Sequence, residues 1–265
     1  MSVSVDPDWW KTLFDEVYLI TDARTVCNDE ITRREIDVFC NLIPMKVNDR
    51  ILDLCGGHGR HTMGLCQRGF FNCTVFDHSH TLLKIGAENA KKEEYAIQFI
   101  QGDARNIKLN DDTYDHVMIL GNSLGYISDD KSDLLILKES RRVMKSKGWL
   151  LLDVTNGKIV RRQFIPNAWH EINEDVVVCR QRELNENFLC AREMVLSKQN
   201  GVVRDKAYCI RLYEPEHLSE LLTDAGFIDI QFYSNNQSFA NNHGPDRKED
   251  LGCMNHRLIV SARKP

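Results

Sequence analysis

Three aspartates stand where short apolar segments of the chain end. Asp53 ends the run "RILD", Asp77 ends "NCTVFD", and Asp103 follows "IQFIQG". An aspartate carboxylate accepts hydrogen bonds from hydroxyl groups and attracts cationic groups. One acid in such a place is often the N-cap of the next helix. Three acids after three successive apolar segments instead predict one shared polar binding site.

A glycine-rich corner, "DLCGGHG", begins at the first of these acids. A dinucleotide-binding corner has the pattern Gly-x-Gly-x-x-Gly, in which the third glycine lets helix and strand pack closely. Here Gly57 and Gly59 are followed by Thr62 where the third glycine belongs. The carboxylate of Asp53 would also repel a pyrophosphate and attract an ammonium group. The corner therefore favours S-adenosylmethionine, which carries a sulfonium and an α-ammonium and no phosphate, over a nicotinamide dinucleotide.

From Arg50 onward, the chain alternates between strand-like and helix-like patterns. Apolar runs in "RILDL", "NCTVFD", "IQFIQGD", "YDHVMIL" and "WLLLDV" predict five strands, with helices between them. This order implies a mostly parallel sheet covered by helices on both faces. Ligands of such sheets bind outside the carboxyl ends of the strands, where the three acids are expected to lie.

The pattern of the chain changes after Val154. Alternating apolar and polar residues up to residue 213 predict three or four antiparallel strands, and a helix with Pro215 in its first turn and two closing strands follow. The predicted fold class is α/β: a Rossmann-like, doubly wound, mostly parallel seven-stranded sheet with an inserted antiparallel β lid. The predicted domains are a helical N-terminal segment covering the cofactor site (1–48), the core (49–157 and 214–265) and the lid (158–213).

The corner and the strand ends resemble those of class I S-adenosylmethionine-dependent methyltransferases. The similarity covers about residues 8–155, and Cys55 stands where the family has its first glycine, as in a subgroup with the corner Asp-Leu-Cys-Cys-Gly-x-Gly-Arg-His. The resemblance implies that Asp77 holds the ribose hydroxyls and that Asp103 or Ala104 holds the adenine amino edge. The cofactor-binding residues that it implies are Tyr18, Arg24, Asp53, Cys55, Gly56, Gly57, Asp77, His78, Asp103, Ala104 and Leu120.

The resemblance implies transfer of a methyl group to a nitrogen, oxygen or sulfur atom of a small molecule, with S-adenosylhomocysteine as product. The reaction is an in-line displacement on an activated cofactor, so the protein mainly aligns the acceptor. After the fourth predicted strand, "GNSL" replaces the Asp/Asn-Pro-Pro-aromatic motif of amino-methylating nucleic-acid enzymes. The open alternatives are a protein or RNA methyltransferase, a non-catalytic S-adenosylmethionine-binding partner subunit, and a nicotinamide-dependent oxidoreductase, which the missing third glycine disfavours.

Two side chains are candidates for the catalytic step. Tyr126, in the loop after the fourth strand, could orient the acceptor through its hydroxyl, or it could pack under the lid. His170, in "NAWHEI", has a side chain whose ordinary pKa of about 6.5 suits a general base, although an exposed strand histidine is the alternative.

In the N-terminal segment, Tyr18 and Arg24 resemble residues that cover the cofactor and hold its carboxylate. A packed tyrosine and a surface arginine are the alternatives there.

Composition limits the partners of this chain. A net charge of -5 and a pI near 6.0 disfavour nucleic acid and anionic membranes as ligands. No secretory signal precedes the first predicted helix, and the nine scattered cysteines contain no Cys-x-x-Cys pair. These features predict a cytoplasmic enzyme with reduced thiols.

No metal is predicted, because His58 and His61 lack a third ligand at suitable spacing. The expected partner is a small-molecule acceptor, and a monomer and a homodimer both remain open.

Overall fold

Strands and helices alternate through the first half of the chain. The computed structural model describes residues 3–22, 26–234 and 257–265. The strands in these residues are β1 (Ile51–Leu54), β2 (Cys73–Asp77), β3 (Gln98–Gln101), β4 (Tyr114–Ile119), β5 (Met144–Thr155), β6 (Asn167–Glu171), β7 (Val176–Leu184), β8 (Phe188–Ser197), β9 (Gly201–Arg211), β10 (Ile228–Ser234) and β11 (Arg257–Arg263). The helices are α1 (Trp10–Leu13), α2 (Glu16–Thr21), α3 (Asp29–Leu42), α4 (Arg60–Cys66), α5 (His80–Lys92), α6 (Asp130–Val143), α7 (Gly157–Arg162) and α8 (Pro215–Asp224).

The main sheet has seven strands in the order β10-β11-β5-β4-β1-β2-β3. Strands β1 to β5 run parallel, and β11 is antiparallel to both of its neighbours. The central strand β1 is buried at every position because helices cover both of its faces, whereas the edge strand β3 carries partly exposed residues. The predicted Rossmann-like, mostly parallel seven-stranded sheet is confirmed.

The core of the main sheet forms two clusters, one on each face of the sheet. Successive side chains of a strand point to opposite faces, so Leu52 and Leu54 of β1 join one cluster while Ile51 joins the other. Ile36 and Phe39 of α3 pack in the cluster of Ile51 and are fully buried. Helix α3, which precedes the sheet in sequence, therefore belongs to its core.

A second sheet follows the fifth strand along the chain. Its four strands are antiparallel in the order β6-β7-β8-β9, at the upper end of the predicted number. Cys190 of β8 and Cys209 of β9 face each other in register and form a disulfide. The prediction that the thiols are reduced is wrong for this pair, because sequence spacing did not show that the two cysteines are cross-strand neighbours. In the described residues, no helix has the length and apolar character needed to span a membrane.

The N-terminal helices contact the second sheet through buried charges. Arg204 of β9 donates from Nη1 to the Leu13 carbonyl at 3.1 Å and to Asp15 at 2.8 Å, and its Nη2 donates to Glu193 at 2.6 Å. Arg180 of β7 pairs with Asp22 at 3.1 Å. These contacts hold α1 and α2 against β7–β9.

Candidate functional site

A pocket opens at the carboxyl ends of β1, β2 and β4, where ligands of parallel sheets bind. It has an empty volume of about 1080 Å³, counting the space at its open mouth. The predicted residues that line it are Tyr18, Cys55, Gly56, Gly57, Asp77, His78, Asp103, Ala104, Leu120 and Tyr126. Residues from well-separated parts of the sequence therefore meet in one cavity, which is large enough for a nucleoside-sized ligand.

The glycine-rich corner brings backbone close to the first acid. Gly57 has a φ of +57°, in the left-handed region that favours glycine. A Cβ added to Gly56 would lie 2.6 Å from Cγ of Asp53, so a larger residue there would displace the carboxylate. The corner thus lies directly over the Asp53 side chain.

Asp53 lies beneath the pocket instead of lining it. Its side chain is 1% exposed, and Oδ2 accepts a hydrogen bond from the Thr62 hydroxyl at 2.8 Å. Among the described residues, no donor forms a hydrogen bond with Oδ1. Burial raises the pKa of this carboxyl to about 6. Thr62, at the position of the missing third glycine, therefore holds the acid that the sequence singled out.

Replacement of Asp53 by asparagine is expected to stabilise the ligand-free protein above pH 6. The carboxyl has a pKa of about 6 when folded and an ordinary value of 3.8, so the unfolded chain releases this proton at lower pH than the folded chain. The free energy of unfolding therefore falls as the pH rises between these values, by about 3 kcal/mol in total. Asparagine carries no charge and still accepts from Thr62, so the variant avoids this loss. Denaturant unfolding at pH 4 and pH 8 checks this, because a stability gain that is no larger at pH 8 would contradict it.

Asp77 is held by backbone amides at the end of β2. Gly57 N donates to its Oδ2 at 2.8 Å, and Ser79 N donates to its Oδ1 at 2.7 Å. Each carboxylate oxygen has a further lone pair for a ligand hydroxyl. Burial raises the pKa of this carboxyl. The side chain is thus fixed in orientation and borders the pocket.

Asp103 borders the pocket beyond Asp77 and is already paired. Arg105 donates to it from Nε at 3.0 Å and from Nη2 at 2.6 Å, and this hydrogen bonding lowers the pKa of the carboxyl. The same guanidinium lies 5.4 Å from the ring of Trp10, whose edge packs against His78 at 4.8 Å. Sequence reasoning missed Trp10 and Arg105, although the Asp-x-Arg spacing was a signal for this pairing.

Aromatic rings also line the pocket, and they pack against one another. Phe14 stacks on Tyr126 with 5.3 Å between ring centroids and packs edge-on against Tyr18 at 5.1 Å, while Trp9 contacts Tyr126 at 5.2 Å. Burial raises the pKa of Tyr18 and that of Tyr126. Both phenols therefore stay protonated near neutral pH and can donate hydrogen bonds.

Other predicted residues lie elsewhere. His170 is in β6, paired with Val178 of β7, and does not line the pocket. Arg24 falls outside the described residues. His58 lines the pocket, and burial lowers the pKa of its imidazole to about 4. Within the described part of the chain, no group of three or more His, Cys, Asp or Glu side chains could hold a metal ion.

A buried charged network, which sequence reasoning missed, lies beside the corner. Glu35 of α3 accepts from Arg60 and contacts His61 Nε2 at 3.0 Å, and its other oxygen lies 3.3 Å from Arg257 Nη2. Arg257 of β11 also donates to Asp153 from Nε at 2.6 Å. The network, with members up to 222 positions apart, joins α3, α4, β5 and β11. Two members of the network, Arg60 and His61, line the pocket.

Comparison with known proteins identifies the type of domain. Residues 51–148 match the family model described as a methyltransferase domain. A demethylmenaquinone methyltransferase of Paenarthrobacter aurescens is 26% identical over 239 residues, covering 87% of this chain and 83% of that protein. A glycine/sarcosine N-methyltransferase of Aphanothece halophytica is 25% identical over 199 residues, covering 74% and 73%.

A solved structure shares the fold over nearly the whole chain. CalS10, an amino pentose methyltransferase of Micromonospora echinaspora solved with bound S-adenosylmethionine, superposes with a TM-score of 0.69 at 14% sequence identity. The match covers 96% of this chain and 99% of CalS10. The likeness therefore includes the second sheet as well as the main one.

Proposed function

We propose that this chain, an S-adenosylmethionine-dependent methyltransferase, methylates a nitrogen, oxygen or sulfur atom of a small-molecule acceptor. The observation that carries the proposal is the aromatic lining of the pocket. Trp10, Phe14 and Tyr18 of the N-terminal segment line it together with Tyr126 and the glycine-rich corner. A concave pocket with such a lining suits a small molecule better than a protein tail or a duplex.

The order of the acids along the sheet supports an orientation for the cofactor. Strands β1, β2 and β3 are neighbours, and their carboxyl ends carry the corner, Asp77 and Asp103. We assign the adenine to Asp103 and Ala104 and the ribose hydroxyls to Asp77. The methionine portion then lies at the corner, near Cys55 and Leu120. These positions agree with the roles expected for the Asp-Leu-Cys-x-Gly-x-Gly-Arg-His subgroup.

The protein aligns the acceptor instead of activating the methyl group. When bound, the cofactor would supply a methyl group activated by its sulfonium for in-line displacement. We propose that Tyr126 touches the acceptor, since its protonated hydroxyl can donate a hydrogen bond that fixes the acceptor's orientation. His170 does not border the pocket, so we assign no proton transfer to it.

The names of the relatives support a small acceptor. The two curated relatives are named for demethylmenaquinone and for glycine and sarcosine, and CalS10 is named for an amino pentose. A protein or RNA methyltransferase would call for an open, charged groove, in contrast to the aromatic lining that contains Phe14 and Tyr126. A non-catalytic partner subunit would bind the cofactor without turnover.

Replacement of Tyr126 by phenylalanine is expected to lower kcat by roughly 10-fold, the effect of one lost hydrogen bond in a desolvated site. The dissociation constant for S-adenosylhomocysteine should change little, because the ring and its packing remain. Steady-state kinetics and calorimetric titration separate the two effects. Tyr114→Phe is the matched control, since this buried phenol donates to Thr74 outside the pocket. Unchanged kcat in Tyr126→Phe would assign the residue to packing alone.

The proposed function is tested by binding followed by turnover. Calorimetric titration with S-adenosylmethionine, S-adenosylhomocysteine and NADH should show binding of the first two and none of the third. A metabolite library is then screened for acceptors that cause release of S-adenosylhomocysteine. Release with small molecules supports the proposal. Release only with a protein or RNA would contradict it, and cofactor binding without release by any acceptor class would indicate a non-catalytic subunit.

A further inference from the structure

The loop after β4 carries Tyr126 and lies against the end of β9. Gly125 and Ile127 of this loop line the pocket with Tyr126. Gly125 has a φ of +92°, and its carbonyl accepts a hydrogen bond from the Arg211 amide at 2.8 Å. A Cβ added to Gly125 would lie 2.8 Å from Cβ of Arg211. The backbone directly before Tyr126 is therefore fixed against Arg211.

The side chain of Arg211 contacts the same loop beyond Tyr126. Its Nη2 donates to the Ser128 carbonyl at 3.3 Å, and its Nε donates to Asp133 Oδ2, near the start of α6, at 2.9 Å. The amide and the guanidinium of one residue thus contact the loop on both sides of Tyr126, at Gly125 and at Ser128. Contacts on both flanks of a short segment restrict the direction of the side chain between them.

The guanidinium of Arg211 is itself held by buried groups. The Tyr213 hydroxyl donates to the same Asp133 oxygen at 2.5 Å, and the ring of Phe188 lies 4.6 Å from the guanidinium carbon. Arg211 is 4% exposed and Asp133 is 2% exposed. A buried ion pair is weak evidence for stability, because removing both charges from water offsets much of their attraction. What the pair does provide is a fixed position for the guanidinium.

The position of the Tyr126 hydroxyl depends on this loop. Phe14 stacks on the Tyr126 ring with 5.3 Å between centroids, and stacked rings tolerate lateral offsets. The stacking therefore fixes the plane of the ring, whereas the backbone of the loop sets how far the hydroxyl extends. A displacement of about 1 Å at a group that aligns a reactant can lower a rate about 100-fold.

We propose that Arg211 is a positioning residue for methyl transfer, which acts through Tyr126 by holding the loop on both sides of it. Asp133 and Tyr213 support this role by holding the guanidinium. The inference rests on the proposed function, in which Tyr126 touches the acceptor. Arg211 itself is not among the residues that line the pocket.

Replacement of Arg211 by lysine tests this role. Lysine keeps a positive charge beside Asp133, but its compact ammonium does not reproduce the planar guanidinium that reaches both Asp133 and Ser128. With S-adenosylmethionine and the acceptor found in the library screen, kcat should fall roughly 10-fold, the effect of one misplaced hydrogen bond. The KM for S-adenosylmethionine should change by less than about 2-fold, because the contacts that line the pocket remain.

A double-mutant cycle separates positioning from a general structural role. In Tyr126→Phe, which lacks the hydroxyl, the Arg211→Lys change should lower kcat by less than about 2-fold. Equal losses with and without the Tyr126 hydroxyl would overturn the inference, and so would an unchanged kcat in Arg211→Lys. Arg192→Lys is the matched control and should leave kcat unchanged, since Arg192 also donates from Nε and Nη2 to an aspartate, Asp205, at the surface.

If the lysine variant does not fold, Tyr213→Phe is measured in the same cycle. This change removes only the hydroxyl that donates to Asp133, so the ion pair with Arg211 remains. A loss in kcat of about 3-fold is expected when the Tyr126 hydroxyl is present, and equal losses in both proteins, or none, would overturn the inference. Failure of the proposed function gives a different result, because the wild-type protein would then turn over no small-molecule acceptor.

Discussion

Replacement of Asp77 by alanine is expected to weaken binding of S-adenosylhomocysteine by at least roughly 100-fold. A hydrogen bond to a charged group contributes about 1.5–3 kcal/mol, and the proposed site makes two of them to the ribose. The variant also releases the amides of Gly57 and Ser79, which donate to the carboxylate at 2.8 and 2.7 Å. The corner would therefore lose its orientation together with the ligand contact.

Calorimetric titration measures this effect, with Asp205→Ala as control for a carboxylate far from the pocket in β9. Asp77→Asn should lose less affinity, because the amide oxygen keeps one acceptor. Binding of 5′-methylthioadenosine should fall as much as that of S-adenosylhomocysteine, since both contain the ribose. Wild-type affinity in a folded Asp77→Ala protein would contradict the ribose assignment.

Replacement of Asp153 by asparagine is expected to cost about 3–5 kcal/mol of folding stability. The side chain is fully buried, accepts from Arg257 Nε at 2.6 Å, and also accepts from the amide of Gly121 at 3.1 Å. Without this carboxylate, the buried guanidinium of Arg257 loses its acceptor at 2.6 Å, while Glu35 remains at 3.3 Å. A buried cation that loses a charged acceptor is destabilised because the interior cannot replace its hydration.

Asp205→Asn provides a control with similar geometry at the surface. Arg192 contacts Asp205 from Nε at 2.8 Å and from Nη2 at 2.5 Å, but the two side chains are 50% and 35% exposed. Its loss should cost less than about 1 kcal/mol. Denaturant unfolding measures the loss of stability in both variants. The comparison holds when the dependence of the unfolding free energy on denaturant concentration is the same as in the wild type. Equal costs would refute the argument, whereas a smaller cost in the double variant Asp153→Leu, Arg257→Met than in Asp153→Asn would support it.

The sequence by itself determined the elements and their order. The apolar run of β1 and the alternating pattern before Pro215 are local signals, because strand periodicity records which faces are buried. The positions of Asp77 and Asp103 followed from the same reasoning, since parallel strands bring their carboxyl ends to one edge. The seven-stranded sheet and the second antiparallel sheet were therefore predictable without coordinates.

The tertiary structure decided which side chains reach the pocket. Asp53 was singled out as a ligand-facing acid, yet the close approach of Gly56 places it beneath the corner. His170 had a suitable chemical type, but its strand lies in the second sheet away from the pocket lining. A side chain's direction depends on the packing of elements that are distant in sequence, and the local pattern does not contain that information.

The charged network shows the same limit of sequence reasoning for residues that are far apart in the chain. Glu35 and Arg257 meet although α3 precedes the sheet and β11 ends it. Nothing in the sequence near Arg60 shows that Glu35 will accept a hydrogen bond from one of its nitrogens. Burial makes such pairs strongly dependent on geometry, because a buried charge is tolerated only where its partners converge. That convergence is a property of the folded chain alone.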